Sequence, residues 1–363
     1  MRIQQIQLRQ FRNHDQRVLE FAAHKNLILG KNGAGKTNIL EAVHFLSHGK
    51  SQRTSQDREL VQWDKPFATL RLEACSETTQ TVLEAQLVYT TQGTLRTGFK
   101  LDGNPVKARS QIVGKIPTVT FFVSDLLMLR GSPEDRRQAL DRSLVQYDPL
   151  HYTRLQAYQR VKLQKAQLLK HGLPDENLLD TLNDQLAETG AAVMTHRMQY
   201  LLRLETIAAL RYLELSQNNE TLSLAYRQSF SGVLREAIDQ AKSEEIRRGQ
   251  VLIGPHRDDI AFYLDHRDAA LYASQGQQRS IVLAFKLAEM SHLQQKLGDS
   301  PVLLLDDVMA ELDLVRQHAL VSHLNPDMQV ILTTTSLSPE TEWFLQSDAQ
   351  ARVFHMSADQ VPA

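Results

Sequence analysis

Cysteine is nearly absent from this chain of 363 residues: Cys75 stands alone. A single thiol excludes an internal disulfide, and the composition suits a reducing compartment, so a cytoplasmic protein is expected. No run of about 18 apolar residues occurs, which excludes a membrane-spanning helix. The opening MRIQQIQLRQF alternates polar and apolar residues and lacks the apolar stretch of a secretory signal. Neither sign of charge dominates: 41 Lys and Arg stand against 42 Asp and Glu, a net charge of −1. Global charge therefore draws the chain neither to nucleic acid nor to a membrane, and any polyanion site must be a local patch. There is no internal repeat and no low-complexity segment. What remains is ordinary globular material, 42% hydrophobic and 23% charged, long enough for two domains or for one with a large insertion.

The first 123 residues read as β-rich. Ile3, Ile6 and Leu8 alternate ahead of FRNHD; Val18, Leu19 and Phe21 follow, and Asn26–Leu29 runs into a glycine-rich stretch. Residues 38–46 then have helical spacing. Strands are predicted in TLRLEA, TVLEAQLVY and LRTGFKLDG between 69 and 103, and in IPTVTFFV at 116–123. From Ser132 to Ile246 the chain turns rich in Leu, Gln, Arg, Lys and Ala. Leu178, Leu182, Leu186, Val193, Tyr200, Leu204 and Ile207 mark an amphipathic helix. His171–Pro174 separates it from a helix around 151–170, which suggests an antiparallel hairpin. Strands are predicted again at VLIGP (251–255), IAFYL (260–264), PVLLL (301–305) and QVILTTT (329–335), with helices near 277–297 and 314–324. The expected division is 1–131 with 247–363 as one α/β domain, and 132–246 as a mainly α-helical insertion.

Residues 30–37, GKNGAGKT, match G-x-x-x-x-G-K-[ST] in full, between a strand and a helix. Gly30, Gly33 and Gly35 let the backbone turn tightly and bring N–H groups to phosphate oxygens, and the helix N-terminus adds positive dipole. Lys36 is placed to bridge β- and γ-phosphates, and Thr37 to ligate Mg²⁺ through its hydroxyl. A second element is required, and VLLLDD at 302–307 supplies it: a buried strand ending in Asp306, to hold Mg²⁺, and Asp307, to position or deprotonate the attacking water. The plain alternatives are a flexible turn and a solvated acidic one. A third stretch, SQGQQRS at 274–280, opens the helix IVLAFKLAEM. It is either a second anion-binding helix start, which makes sense if it serves a partner's nucleotide, or a simple N-cap by Ser274.

SQGQ resembles the signature of ABC-type ATPases, with Gln275 in place of the first glycine, and ELD at 311–313 stands at the spacing of their D-loop. FRN (11–13), GKNGAGKT, RTSQDREL (53–60), the Arg136–Arg137 to Leu140–Asp141 stretch, GPHRDD (254–259), SQGQQRS and LLLDDVMAELD stand in the order seen in the RecF family, related to SMC head domains. The resemblance covers nearly the whole chain. It implies an ABC-type, SMC-head-like P-loop ATPase domain of α/β class with an inserted mainly α-helical domain. It implies a DNA-binding protein of recombinational repair and replication restart that prefers single strands and single-strand/duplex junctions. It further implies an ATP-dependent homodimer, in which Lys36 and Thr37 of one chain and Ser274 of the other clasp one γ-phosphate. Work with RecR and RecO in loading RecA, and a role in the SOS response, belong to the same expectation. The nucleotide contacts implied are Gly30, Lys31, Asn32, Gly33, Ala34, Gly35, Lys36, Thr37 and Asn38, with Ser274, Gly276 and Gln277 of the signature and Asp313 of the D-loop. Arg12 in FRN is implied at the α/β-phosphates or the nucleotide's outer edge.

Some positions depart from the broader ABC pattern. Asp307 stands where many of these ATPases carry Glu and reaches one methylene less far, so slow turnover is expected; the resemblance implies a weak, DNA-stimulated ATPase used as a switch. Thr333–Thr335 replace the switch histidine, and Ser124 and Asp125 stand where a Q-loop glutamine is expected. For DNA phosphates the basic candidates are Lys50, Arg53 and Arg58; Arg136, Arg137 and Arg142; Lys162, Lys165 and Lys170; and Arg247 with Arg248. Each could equally be a solvated helix face, and no aromatics interleave with them. His256 and Arg257 are candidates to touch DNA or to brace the signature loop. GPHRDD and the HRD at 266–268 lack the further ligands of a metal shell. Two other readings compete: the nucleotide-binding subunit of an ABC transporter, and a catalytically inert ABC-type head. Against the first stand Asp307, the missing switch histidine, the helical insertion and the long separation of Lys36 from Ser274.

Overall fold

The computed structural model describes residues 1–170, 175–216, 220–325, 327–337, 339–346 and 348–357. The expected break at 171–174 lies outside them. The chain forms two compact units, Met1–Leu126 with Lys286–Ala363, and Leu127–Phe285.

The first unit opens with β1 (Arg2–Phe11), β2 (His14–Glu20), β3 (Lys25–Gly30) and α1 (Lys36–His48), then β4 (Phe67–Cys75), β5 (Gln80–Tyr89), β6 (Leu95–Leu101), β7 (Asn104–Pro105) and β8 (Thr118–Phe122). The second unit holds α2 (Pro133–Tyr147), α3 (Leu150–Leu169), α4 (Glu176–Ser216), β9 (Leu222–Arg227), α5 (Leu234–Arg248), β10 (Asp259–Leu264), β11 (Arg267–Asp268) and α6 (Ala269–Tyr272). Within α7 (Gln275–Leu297) the chain returns to the first unit, and β12 (Val302–Asp306), α8 (Val308–Glu311), α9 (Leu314–Ser322), β13 (Val330–Thr334), α10 (Pro339–Gln346) and β14 (Arg352–Met356) complete it. The sequence placed the return near residue 247; here it falls at Lys286, so 247–285 packs with the helical unit.

Two sheets build the first unit. One is antiparallel, in the order β2-β1-β4-β5-β6-β7; the other is parallel, β14-β3-β13-β12-β8. All five residues of β8, of β12 and of β13 are buried, as expected of parallel strands covered on both faces. Brought side by side, β3, β12 and β13 end together, and the ends of such strands are where α/β sheets bind ligands.

The second unit is held by α3, α4 and α5 around Tyr158, Val161, Leu182, Leu186, Val193 and Ile238. The helices α3 and α4 run antiparallel: His151 stacks on His196, and a Cβ on Gly190 would come within 3.4 Å of the Tyr158 ring. The helix is longer than its apolar spacing suggested, 41 residues, and its core line starts at Leu179, with Leu178 exposed. VLIGP, expected as a strand, is a turn segment, because Gly254 takes φ 136° and Pro255 follows it. Besides the two-residue β7 and β11, the strands β9 and β14 escaped the sequence reading. β9, within the Leu/Arg-rich stretch, pairs with β10; β14 pairs with β3.

Candidate nucleotide site

The octet 30–37 is the link from β3 to α1. Gly33 and Gly35 take φ of 82° and 89°, a left-handed conformation that a Cβ disfavours. A Cβ on Gly35 would lie 2.6 Å from Asn13 Oδ1, and one on Gly30 2.6 Å from the Met356 carbonyl oxygen. The FRN segment and β14 thus press directly on the loop. Asn13 Nδ2 donates to the Gly33 carbonyl at 3.2 Å, and His14 Nε2 to the Gly35 carbonyl at 3.1 Å. A carbonyl only accepts, so Nε2 carries the hydrogen. Burial holds the His14 pKa below its ordinary value and keeps the ring neutral.

Lys36 is buried. Its ammonium donates to the carbonyls of Gly30 at 2.8 Å and Lys31 at 3.3 Å, and lies 3.8 Å from Asp307 Oδ2. The flexible stem holds the charge inside the loop whose backbone faces any phosphate. Ala34 and Gly35 are buried, whereas Lys31, Asn32 and Gly33 are exposed. Asn38 donates to Asn13 Oδ1 at 2.7 Å, so it acts on the loop's brace.

The acidic pair sits where the strands end. The register of β12 and β13 sets Asp306 opposite Thr333. Thr37 Oγ1 donates to Asp306 Oδ1 at 2.9 Å, and Thr333 Oγ1 donates to the same oxygen at 2.8 Å while accepting the Asp307 N–H at 3.0 Å. Burial raises the Asp306 carboxyl above its ordinary range; the neighbouring charge of Asp307 adds to this, and the two hydroxyl bonds oppose it. A buried carboxylate beside a like charge gains from a cation. Thr37 and Asp306 offer hard oxygen donors of the kind Mg²⁺ takes together with waters and phosphates. Among the described residues no group of three His, Cys, Asp or Glu forms a ready-made metal site. Asp307 itself has a left-handed backbone, φ 51°.

Arg12 is committed elsewhere. Its Nε and Nη2 donate to Glu41 at 2.9 and 2.6 Å, and Nη1 to the Glu59 carbonyl at 2.8 Å. Glu41, wholly buried on α1, also accepts from Ser51 Oγ at 2.6 Å and Arg53 Nη1 at 3.3 Å. Three of its five N–H groups are used in this way, so a phosphate contact by Arg12 would draw on the remaining two. Sequence reasoning missed Glu41, although an acid on the apolar face of a helix was a visible signal. Asn13 and His14 were missed as well.

Ser274 caps α7 reciprocally: its N–H donates to Gln277 Oε1 at 2.7 Å, and its Oγ accepts the Gln277 N–H at 3.2 Å. The plain N-cap reading is therefore met, and Ser274 and Gln275 remain exposed. Gly276 lies in the first turn of α7, and Gln277 also donates to Glu220 at 2.6 Å. Asp313 caps α9, accepting the Arg316 N–H at 3.0 Å. Of the residues at the Q-loop position, Asp125 is buried, accepting from the Phe122 N–H at 2.9 Å and lying 3.7 Å from Lys286 Nζ; Ser124 is exposed. Thr334 donates to the Ser336 carbonyl at 3.0 Å and Thr335 is exposed.

The family described as RecF/RecN/SMC N terminal domain matches residues 2–360. The DNA replication and repair protein RecF of Symbiobacterium thermophilum is 37% identical over 99% of this chain and 98% of that protein. The chain belongs to the RecF family. The RecF of Bacillus subtilis is 37% identical over 93% of this chain and 94% of its own. A solved structure described as the recombination mediator protein RecF-ATP in the RecFOR pathway matches with a TM-score of 0.84 and 31% identity, over 93% of each chain. An SMC head bound to a domain of ScpA matches at a TM-score of 0.53 and 15% identity, which shows the fold alone. The ABC-type, SMC-head-like class is thus shown.

In this RecF chain, two of the motifs that carry the resemblance turn out to be each other's partners. Arg136 donates from Nε and Nη2 to Asp259 at 2.8 and 2.9 Å, and Arg137 Nη1 to the Asp258 carbonyl at 2.5 Å. Asp141 takes Nε and Nη2 of Arg197 at 2.8 and 2.7 Å and His151 Nε2 at 3.0 Å; Arg197 Nη1 donates to the Pro255 carbonyl at 2.7 Å. Several basic candidates for DNA are likewise used internally. Lys165 is fully buried 2.5 Å from Glu245, Arg53 serves Glu41 and Asn38, and Arg247 and Arg248 pair with Glu244.

Proposed function

We propose that this chain is an ATP-gated DNA-binding ATPase of replication and recombinational repair. The observation that carries the reading is the cluster of Lys36, Thr37, Asp306, Asp307 and Thr333 at the ends of three parallel strands. The name of the RecF relatives supports the DNA-repair setting, and the RecF-ATP structure supports the nucleotide.

Lys36 and the loop of Gly30–Gly35 bind the triphosphate, with Lys31, Asn32 and Asn38 at its rim. Thr37 and Asp306 are the residues that would hold Mg²⁺, which neutralises phosphoryl charge when bound. Asp307 orients the attacking water and accepts its proton, and Thr333 fixes the Asp307 backbone while it does so. Ser274, Gly276 and Gln277 of one copy face the γ-phosphate held by the other, with Asp313 at the same interface. ATP binding thereby stabilises the pair and hydrolysis releases it. DNA, as single strands or single-strand/duplex junctions, binds the paired form and stimulates the weak hydrolysis. The pair then works with RecR and RecO in placing RecA, in the cytoplasm and in the SOS response.

Sedimentation with ATP and Mg²⁺ tests the shared site. Wild type pairs and Ser274→Arg stays single; equal pairing by both ends the shared-site reading. Asp307→Asn separates a switch from an inert head: the variant should release phosphate far more slowly and persist as an ATP-bound pair, whereas turnover equal to wild type would favour the inert head. No helix among the described residues is long and apolar enough to cross a membrane.

A further inference from the structure

The turn 254–258 gathers cations from three places in the second unit. Tyr158 on α3 donates its hydroxyl to His256 Nδ1, while His256 Nε2 donates to the Val251 carbonyl at 3.2 Å. That pins α3 to the turn, and Gly254 makes the close approach feasible: a Cβ there would lie 2.5 Å from the Tyr158 hydroxyl. Lys162 lies one helical turn beyond Tyr158, on the same face of α3. Arg137 on α2 reaches the same turn through the Asp258 carbonyl at 2.5 Å. Arg257 belongs to the turn, is exposed, and its guanidinium makes one long contact, 3.5 Å to the Val251 carbonyl.

The acids nearby are already matched. Asp258 accepts from the Tyr226 hydroxyl at 2.7 Å and the Ser229 N–H at 2.8 Å, Asp259 holds Arg136, Asp141 holds Arg197 and His151, and Glu245 holds Lys165. Among the described residues no carboxylate lies within ion-pair distance of Lys162, Arg137 or Arg257; Glu134, at the start of α2, acts on Lys162 and Arg137 from further away. Burial lowers the pKa of Lys162 and of His256; Glu134 opposes this at Lys162 and the Val251 bond opposes it at His256, while the neighbouring cations add to it at both. Cations gathered where the nearby carboxylates are bonded to other groups or stand further away gain from an incoming anion.

We infer that Lys162, Arg137 and Arg257 form a contact site for the DNA backbone, taking one phosphate or two neighbouring ones without reading bases. The inference rests on the DNA-binding function proposed above and assigns it a place. Arg offers a planar fork and Lys a point charge, the two ways of binding phosphate. The aromatic ring at the cluster, Tyr158, is buried and offers no face for stacking, so the contact is to backbone rather than base.

The test is the salt dependence of binding to a labelled single-strand/duplex junction, with ATP, for the full chain. Lys162→Gln and Arg257→Gln should each lower the slope of log affinity against log salt by about one, and together by about two. Lys162→Arg and Arg257→Lys should keep the wild-type slope, and circular dichroism checks that each variant folds. A double variant with wild-type slope and affinity overturns the site, as does an equal loss from Arg247→Gln, whose charge is paired with Glu244. A wild-type chain that binds no junction at all overturns the proposed function as well, so the two failures are told apart.

Discussion

Thr333 Oγ1 lies 2.8 Å from Asp306 Oδ1, and the hydroxyl that makes this bond also receives the Asp307 N–H. One side chain therefore sets both acids of the site. Thr333→Val keeps the shape and removes both bonds. Leaving the Asp307 N–H without an acceptor costs about 1–3 kcal/mol. Phosphate release at saturating ATP should fall about tenfold or more, since each 1.4 kcal/mol is worth about that factor. Turnover equal to wild type would show that the threonine does not position the acids.

The glycines of the phosphate loop should not be equivalent. Gly30→Ala drives a Cβ to 2.6 Å from a backbone oxygen of β14, which cannot swing aside. A loss of about 2–4 kcal/mol is expected. Gly33→Ala meets nothing within 4 Å and carries only the strain of φ 82°, about 1 kcal/mol. Thermal melts should rank Gly30→Ala well below Gly33→Ala; the reverse order would contradict the packing described.

His256 makes stability depend on mild acid. Burial and neighbouring cations lower its pKa to about 4 from the ordinary 6.5. Between these values the unfolded chain binds the proton and the folded chain does not. The contribution is therefore fully present above about 6.5 and lost as pH falls towards about 4, amounting to about 2–3 kcal/mol. Urea midpoints should drop across that window in wild type and drop less in His256→Gln. Parallel curves would mean that burial and the neighbouring cations do not hold the ring neutral.

The motifs that build the candidate nucleotide site were legible because their signals are local. GKNGAGKT and VLLLDD each state their geometry within eight residues or fewer, and the parallel sheet merely brings them together. What could not be read is pairing over long separations. Lys165 looked like a solvated cation because its partner, Glu245, stands on another helix. Arg136 looked like part of a basic patch because its partner, Asp259, lies far along the chain. The strand β9 was hidden by a composition that favours helix, and its pairing with β10 overrides that preference. The buried Glu41 that braces Arg12 could not be read either, because a lone acid on a helix gives no motif.

The left-handed main chain at Asp307, φ 51°, bears on why the acid there is short. The conformation costs any side chain with a Cβ about 1–2 kcal/mol, and aspartate visits it more readily than glutamate because its short polar group can hydrogen-bond locally. Lengthening the carboxylate to Glu would extend its reach towards water yet strain the turn that aims it. Asp307→Glu should therefore not by itself speed phosphate release; a longer reach would mean rebuilding the corner between β12 and α8.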